Sequence, residues 1–273
     1  MKRIPVIVLL KLLLLSCSEF EQSTIYVDQV SQPRICLNGV WKVTTHPPAA
    51  FWSDTTRFDA WQDIRVPGEC AMQGIPIKHD EPFVYKTNVL IPNDYSGKSI
   101  FLQFDGVYSF ARVWANGNRV REHHGGFTRW QCDITPFVQA GKAAIITVEV
   151  TDRIDDISCA SGYAKHRIGG ILRDVHLLAL PKNFPHSISI TADLDDEYKH
   201  AMLCVSGKLE SPAADSRIEL ELIDDQGQSI KLNNPVFELD GSTFFSIQNS
   251  IKNPRLWDAE HPIPGGLKIC HGR

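Results

Sequence analysis

Phe104-Asp-Gly-Val-Tyr-Ser-Phe-Ala-Arg-Val-Trp-Ala-Asn-Gly117 sets one strand signal between two turn signals. Residues 108–115 mix aromatic and β-branched side chains in short alternation, which fits a pleated, half-buried surface and no helical face. Asn116-Gly117 lies between two β-prone runs and predicts a tight type I′ hairpin, because both central residues of that turn need positive φ. Outward from this stretch, residues 85–91, 99–104 and 144–150 repeat the pattern, with Pro92-Asn-Asp and Asp105-Gly106 as punctuation. Several strands at this spacing, with no long helical period among them, predict an antiparallel sandwich.

Composition narrows the partners. The 273 residues are 43% hydrophobic, enough for a sizeable core in one large or two smaller domains. Only 22% are charged and the net charge is -4, so no broad basic surface exists to hold a polyanion, and nucleic acid is not an expected partner.

Lys2 and Arg3 precede an apolar run over residues 4–15 that is too short for a stable bilayer span and reads as an export signal. It closes on Leu14-Leu-Ser-Cys17, which resembles the lipobox of bacterial lipoproteins. That resemblance implies lipidation at Cys17 and a membrane attachment in the bacterial cell envelope, facing the periplasm or the cell surface. An ordinary cleaved signal and a secreted protein are the other reading. Residues 18–32 are polar and expected to form a tether. Beyond Cys17 stand Cys36, Cys70, Cys132, Cys159, Cys204 and Cys270, an even set in a compartment that permits disulfides, yet irregularly spaced. No Cys-x-x-Cys pair occurs, so a structural zinc is not expected and buried thiols are the plainer reading.

Further motifs surround the opening stretch: Leu37-Asn-Gly-Val-Trp41, Trp61-Gln-Asp-Ile-Arg-Val-Pro-Gly68, His124-Gly-Gly-Phe-Thr128, Cys132-Asp-Ile-Thr135 and Gly169-Gly-Ile-Leu-Arg-Asp-Val175. Together they resemble the N-terminal sugar-binding domain of family-two glycoside hydrolases, the β-galactosidase and β-glucuronidase family. The resemblance implies an all-β chain whose residues 33–182 form a jelly-roll (galactose-binding-like) sandwich. Pro181-Lys-Asn-Phe-Pro185 marks a boundary. Residues 186–193, 200–208, 217–223 and 243–251 then alternate like an immunoglobulin-like sandwich over residues 183–273. After Asn253-Pro-Arg-Leu-Trp257, which resembles an element near the end of the family's second domain, Pro262-Ile-Pro-Gly-Gly266 interrupts the pattern. That sandwich is therefore expected to be incomplete, its last strand missing and one edge open.

Retaining glycosidases use two carboxylates about 5 Å apart, one as nucleophile and one as general acid and base. The resemblance puts both on a (β/α)8 barrel of about 250 residues, for which this span has no room. The family's acid and base glutamate follows an asparagine, and Asn-Glu does not occur here. No catalytic residue, cofactor or metal is assigned, and the chain alone is expected to be inactive. Hydrolysis of terminal β-linked glycosides is expected only with the barrel, which a separate subunit would have to supply if this chain works in two parts. A free-standing carbohydrate-binding module is the alternative.

Loops of the family's first domain wall the sugar pocket. An aspartate of many relatives matches Ala164 here and an asparagine of the bacterial galactosidases matches Asp80, which leaves Asp80, Glu81, Lys165, His166 and Arg167 as polar candidates for sugar hydroxyls. Exposed charges beside a turn are ordinarily just solvated. Trp130 and Tyr163 are expected in loops, where they would stack on a pyranose ring, whereas Trp114 is expected in the core. Arg173 is expected to be structural, paired to a carboxylate. Asp152, Asp155 and Asp156 lack the glycine-punctuated loop of calcium sites. Ser161, His166 and Asp174 lack a nucleophile elbow. His123 and His124 are adjacent on a strand and so point to opposite faces.

Overall fold

A computed structural model describes residues 25–153, 168–209, 212, 215–256, 260 and 266–272. Cys17, Tyr163, Ala164, Lys165, His166 and Arg167 lie outside the described residues, as do Ser161, Asp155 and Asp156. The chain divides after Leu180 into two compact units.

The first unit contains β1 (Arg34–Cys36), β2 (Gly39–Thr44), β3 (Gln62–Val66), β4 (Pro82–Leu90), β5 (Ser99–Phe104) and β6 (Val107–Tyr108). It continues with β7 (Phe110–Ala115), β8 (Asn118–His124), β9 (Trp130–Asp133), β10 (Ala143–Thr151), β11 (Gly170–Ile171) and β12 (Val175–Leu180). A six-stranded sheet in the order β3-β2-β4-β10-β7-β8 faces a four-stranded sheet in the order β1-β12-β5-β9, and β6 pairs with β11. Period-two alternation sends Ile146, Val148 and Val150 of β10 and Leu102 and Phe104 of β5 into one core, each fully buried. The hairpin forms as expected: Ala115 pairs with Asn118, and Asn116 and Gly117 have φ of 46° and 78°.

Trp114 is buried, but on the outer face of the six-stranded sheet, where it packs with Phe51 and Val84 in a smaller cluster. Residues 45–61 cover that part of the sheet. Lys86 projects beneath them fully buried, and its Nζ donates to the Ser53 carbonyl at 2.8 Å and the Thr56 carbonyl at 3.4 Å. Burial pushes its pKa down, yet the carbonyls and the nearby Phe58 and Trp61 rings compensate the charge.

The second unit contains β13 (Pro185–Leu194), β14 (His200–Leu209), β15 (Arg217–Ile223), β16 (Ser229–Ile230), β17 (Val236–Glu238), β18 (Phe244–Lys252) and β19 (Gly266–Gly272). One sheet runs β13-β14-β18, and β15 carries β16 and β17 along one edge and β19 along the other. Val205, Ile218, Phe245 and Ile247 form its core. The architecture is thus a jelly roll followed by an immunoglobulin-like sandwich.

Two expectations need correction. The segment after Gly266 is a strand: Leu267 and Ile269 of β19 alternate inward while the backbone pairs with β15 from Arg217 to Ile223. Residues 25–32 do not behave as a tether. Val27 and Val30 are 2% and 8% exposed within the first core, and Tyr95 donates from its hydroxyl to the Gln32 carbonyl at 2.7 Å. Two valines three residues apart supply enough apolar area to dock an otherwise polar segment.

Candidate functional site

Parts of five motif stretches far apart in sequence, at Asn38, Gly68, Asp105-Gly106, Gly126 and residues 169–174, meet at one end of the first unit, whereas Asn116-Gly117 and Thr135 lie at the other ends of β7 and β9. The loop after β3 is tied to the loop before β12 by Gly68 N–H to Ile171 O at 2.9 Å and Cys70 N–H to Gly169 O at 3.0 Å. The Asp105-Gly106 turn is tied to the same loop, with Asp105 N–H donating to Asp174 O and Leu172 N–H to Gly106 O, both at 2.9 Å. Close approach needs glycine at Gly126, where a Cβ would come within 2.2 Å of the Tyr108 ring.

An open cleft of about 460 Å³ results, lined by Pro67, Asp105, Arg129, Leu172, Arg173 and Asp174. Asp105 is its electrostatic centre: one carboxylate oxygen accepts from Arg129 Nε at 2.7 Å and from Gln103 Nε2 at 2.8 Å, and the other lies 4.0 Å from the Arg34 guanidinium. Arg34 also approaches His176 Nδ1 at 3.4 Å, and burial, reinforced by that guanidinium, holds the His176 pKa below its ordinary value. Asn38 donates to Asp174 at 2.8 Å. Arg173 is exposed and donates to the Phe127 carbonyl at 3.3 Å, and among the described residues it meets no carboxylate, contrary to expectation. Its stem and head line the cleft instead.

A second loop cluster lies at the β4 and β10 termini of the same end. Asp80 has φ of 62° and its N–H donates to the Asp152 carbonyl at 2.9 Å. His79 Nδ1 stands 2.6 Å from the Asp152 carboxylate, an ion pair when the imidazole is protonated, and Lys78 reaches Glu81 at 3.0 Å. Asp80 and Glu81 are both exposed. Phe110 sits beneath the Arg153 guanidinium, 3.5 Å from the ring centre, with His124 against its edge. The β10 terminus leads into residues 154–167, outside the described residues.

Trp130 is not in a loop. It opens β9, is 5% exposed, and is stacked between Phe104 and His123, with both ring-centre distances 4.6 Å. Its indole faces are therefore occupied by protein and offer no platform to a sugar. His123 lies on the Trp130 side of β8 and His124 on the Phe110 side, as alternation requires. Among the described residues no group of three or more His, Cys, Asp or Glu is placed to hold a metal.

Sequence reasoning missed the Asp105, Arg129 and Arg34 constellation. Its only local signal was the Asp-Gly turn. It also missed Asp152 as the residue whose backbone carbonyl holds the Asp80 loop, with His79 beside its carboxylate.

Residues 36–181 match the family described as glycosyl hydrolases family 2, sugar binding domain, and residues 185–263 match a second one described as glycosyl hydrolases family 2. The chain belongs to glycosyl hydrolase family 2. It is 28% identical over 258 residues to a β-galactosidase of Halalkalibacterium halodurans, covering 84% of this chain and 25% of that one. A β-galactosidase of Clostridium acetobutylicum is 29% identical over 256 residues, covering 83% of this chain and 28% of that one. The family 2 chain therefore spans about a quarter of the length of the curated relatives it matches. The crystal structure of a Bacteroides uniformis β-glucuronidase superposes with a TM-score of 0.74 over 87% of this chain and 30% of that one, at 22% identity, a likeness of fold.

Proposed function

We propose that this chain is the sugar-binding front of a β-galactosidase- or β-glucuronidase-type hydrolase, and that the loop end of its jelly roll forms one wall of a pocket for a terminal β-linked sugar. The loops that gather on one end carry this reading: the Asp80-Glu81 loop, Asp152 and the Asp105 cleft all lie there. Exposed carboxylates held by backbone ties, as Asp80 is, accept hydrogen bonds from sugar hydroxyls without first losing conformational freedom. Bond cleavage by the retaining route needs a nucleophile and a general acid facing each other across the anomeric carbon. Asp80 and Glu81 are consecutive on one loop and cannot flank a glycosidic bond. Hydrolysis accordingly belongs to the polypeptide that carries a (β/α)8 barrel, joined to this chain or separate from it. The export signal and lipidation at Cys17 belong to the same proposal and hold the wall at the cell envelope; mass spectrometry of membrane-extracted protein for a diacylated cysteine tests that part.

The deciding experiment incubates the purified chain with chromogenic β-galactoside and β-glucuronide and titrates it calorimetrically with the corresponding methyl glycosides. Expected are cleavage at the buffer rate and saturable binding that Asp80→Ala weakens. Turnover above buffer, or no binding by the wild type, overturns the proposal.

A further inference from the structure

The second unit carries a surface of a different kind. The antiparallel register lines up side chains across three strands, with Ser187, Lys208 and Phe244 in one row and Ser189, Ser206 and Ser246 in the next. Intervening residues such as Phe245, 3% exposed, point to the other face and into the core. Phe244, in contrast, is 62% exposed, with the Lys208 ammonium 5.5 Å from its ring centre. Both rows line a cavity of about 630 Å³, within the size range of small-molecule sites.

Its chemistry is selective. Lys208 is the one ionisable side chain among the lining residues, so the cavity favours an anion. Four serine hydroxyls, each both donor and acceptor, match a ligand with vicinal hydroxyls. An exposed aromatic ring between short side chains suits the C–H face of a pyranose. A phosphate group fits less well, since the backbone N–H groups here serve the strand ladder and no arginine lines the cavity.

We propose that this face of the immunoglobulin-like unit is a second saccharide site, specific for a carboxylate-bearing glycan. The ring packs on Phe244, the carboxylate pairs with Lys208, and the hydroxyls bond to Ser187, Ser189, Ser206 and Ser246. The site is lined by second-unit residues alone, and this proposal does not rest on the previous one.

The test is calorimetry and amide chemical-shift mapping of the full chain with cellobiouronic acid, using cellobiose as the neutral partner. Expected is saturable binding that shifts the Ser206 and Ser246 amides. Phe244→Ala should weaken it about tenfold, the equivalent of about 1.4 kcal/mol. Lys208→Gln should weaken the acid several-fold and leave cellobiose unchanged. Should Phe244→Ala lower the unfolding midpoint, Lys208→Gln carries the test alone. Absence of saturable binding, or equal affinity in wild type and Lys208→Gln, overturns the proposal. Binding that is lost in Asp80→Ala but kept in both second-unit variants places the saccharide on the first unit, and sinks this proposal while the previous one stands.

Discussion

Gly170→Ala is the sharpest test of how the loop end is built. Gly170 has φ of 139°, which side chains avoid, and a Cβ there would lie 2.8 Å from Tyr85 Oη, 2.9 Å from Gly68 O and 3.5 Å from Cys70 Sγ. None of these neighbours yields cheaply. Tyr85 is fully buried with its hydroxyl 3.0 Å from Cys70 Sγ, and Gly68 is fixed by its N–H bond to Ile171 O at 2.9 Å. A non-glycine residue in such a conformation costs about 1–3 kcal/mol. Overpacking a closed site costs about 1–3 kcal/mol more. The expected loss is therefore about 4 kcal/mol, read as the urea midpoint multiplied by the slope of the unfolding curve. Tryptophan fluorescence follows the first unit, because five of the six tryptophans precede Leu180. Adding Tyr85→Phe removes one of the two close contacts but neither the Gly68 contact nor the backbone strain, so it should recover about 1 kcal/mol of the loss. A Gly170→Ala variant within 1 kcal/mol of wild type would refute the packing argument.

Three further outcomes are expected. Lys86→Met keeps the buried stem but removes the charged bond to the Ser53 carbonyl, 2.8 Å long, costing about 2 kcal/mol and speeding proteolysis within residues 45–61; unchanged cleavage counts against Lys86 as the clasp of that segment. His123 and His176 have pKa values held below 6.5, chiefly by burial, so between those depressed values and 6.5 the unfolded chain binds more protons, and stability rises with pH. It is lost as pH falls below about 6.5, and His176→Gln should flatten the slope of midpoint against pH; an identical slope rules out that linkage. Burial pushes the Cys70 and Cys132 thiols up to about 12, so a thiol reagent at pH 8 should label exposed Cys36 and Cys270 in the native chain and reach Cys70 and Cys132 only after unfolding, as peptide mapping would reveal.

How much of this was legible depended on whether local or remote atoms decide. Asn116-Gly117 announced its hairpin because positive φ at both positions is a local demand. The period of two located the β7, β10, β14, β15 and β18 segments for the same reason. Trp130 misled because an indole near a glycine-rich segment reads as loop, while its burial is set by Phe104 and His123 on other strands. Val27, Val30 and β19 likewise owe their order to partners remote in sequence, and no window around them contains that information. At the site, Asp80 and Arg173 were visible through their motifs. Asp105 with Arg129 and Arg34 was not, since a charge cluster assembled from two loops and a strand remote from one another in sequence has no spacing to recognise.

The residues that carried the resemblance are also those that bring the loops together. Gly68, Gly106, Gly126, Gly169 and Gly170 each have neighbours that leave little or no room for a side chain, with atoms between 2.2 and 3.2 Å from where a Cβ would stand. Each stands in one of the motif stretches, and the backbones of Gly68, Gly106 and Gly169 hold loop ties that shape the Asp105 cleft. A strand tolerates exchange among Val, Ile and Leu as long as the alternation survives. A backbone oxygen as close as Gly68 O is to Gly170, or a buried ring as close as Tyr108 is to Gly126, does not accommodate a Cβ. Sequence likeness at 28% identity is then expected to concentrate at such crossings, and these motifs mark the cleft end because that end contains them. The converse follows for specificity: side chains that project from these crossings into the cleft, Arg129 and Arg173 first among them, are free to vary without breaking the fold. Arg129→Ala should leave the unfolding midpoint within about 1 kcal/mol of wild type while changing which glycosides bind. A large loss of stability instead would make Arg129 a structural partner of Asp105 and move the specificity argument to Arg173.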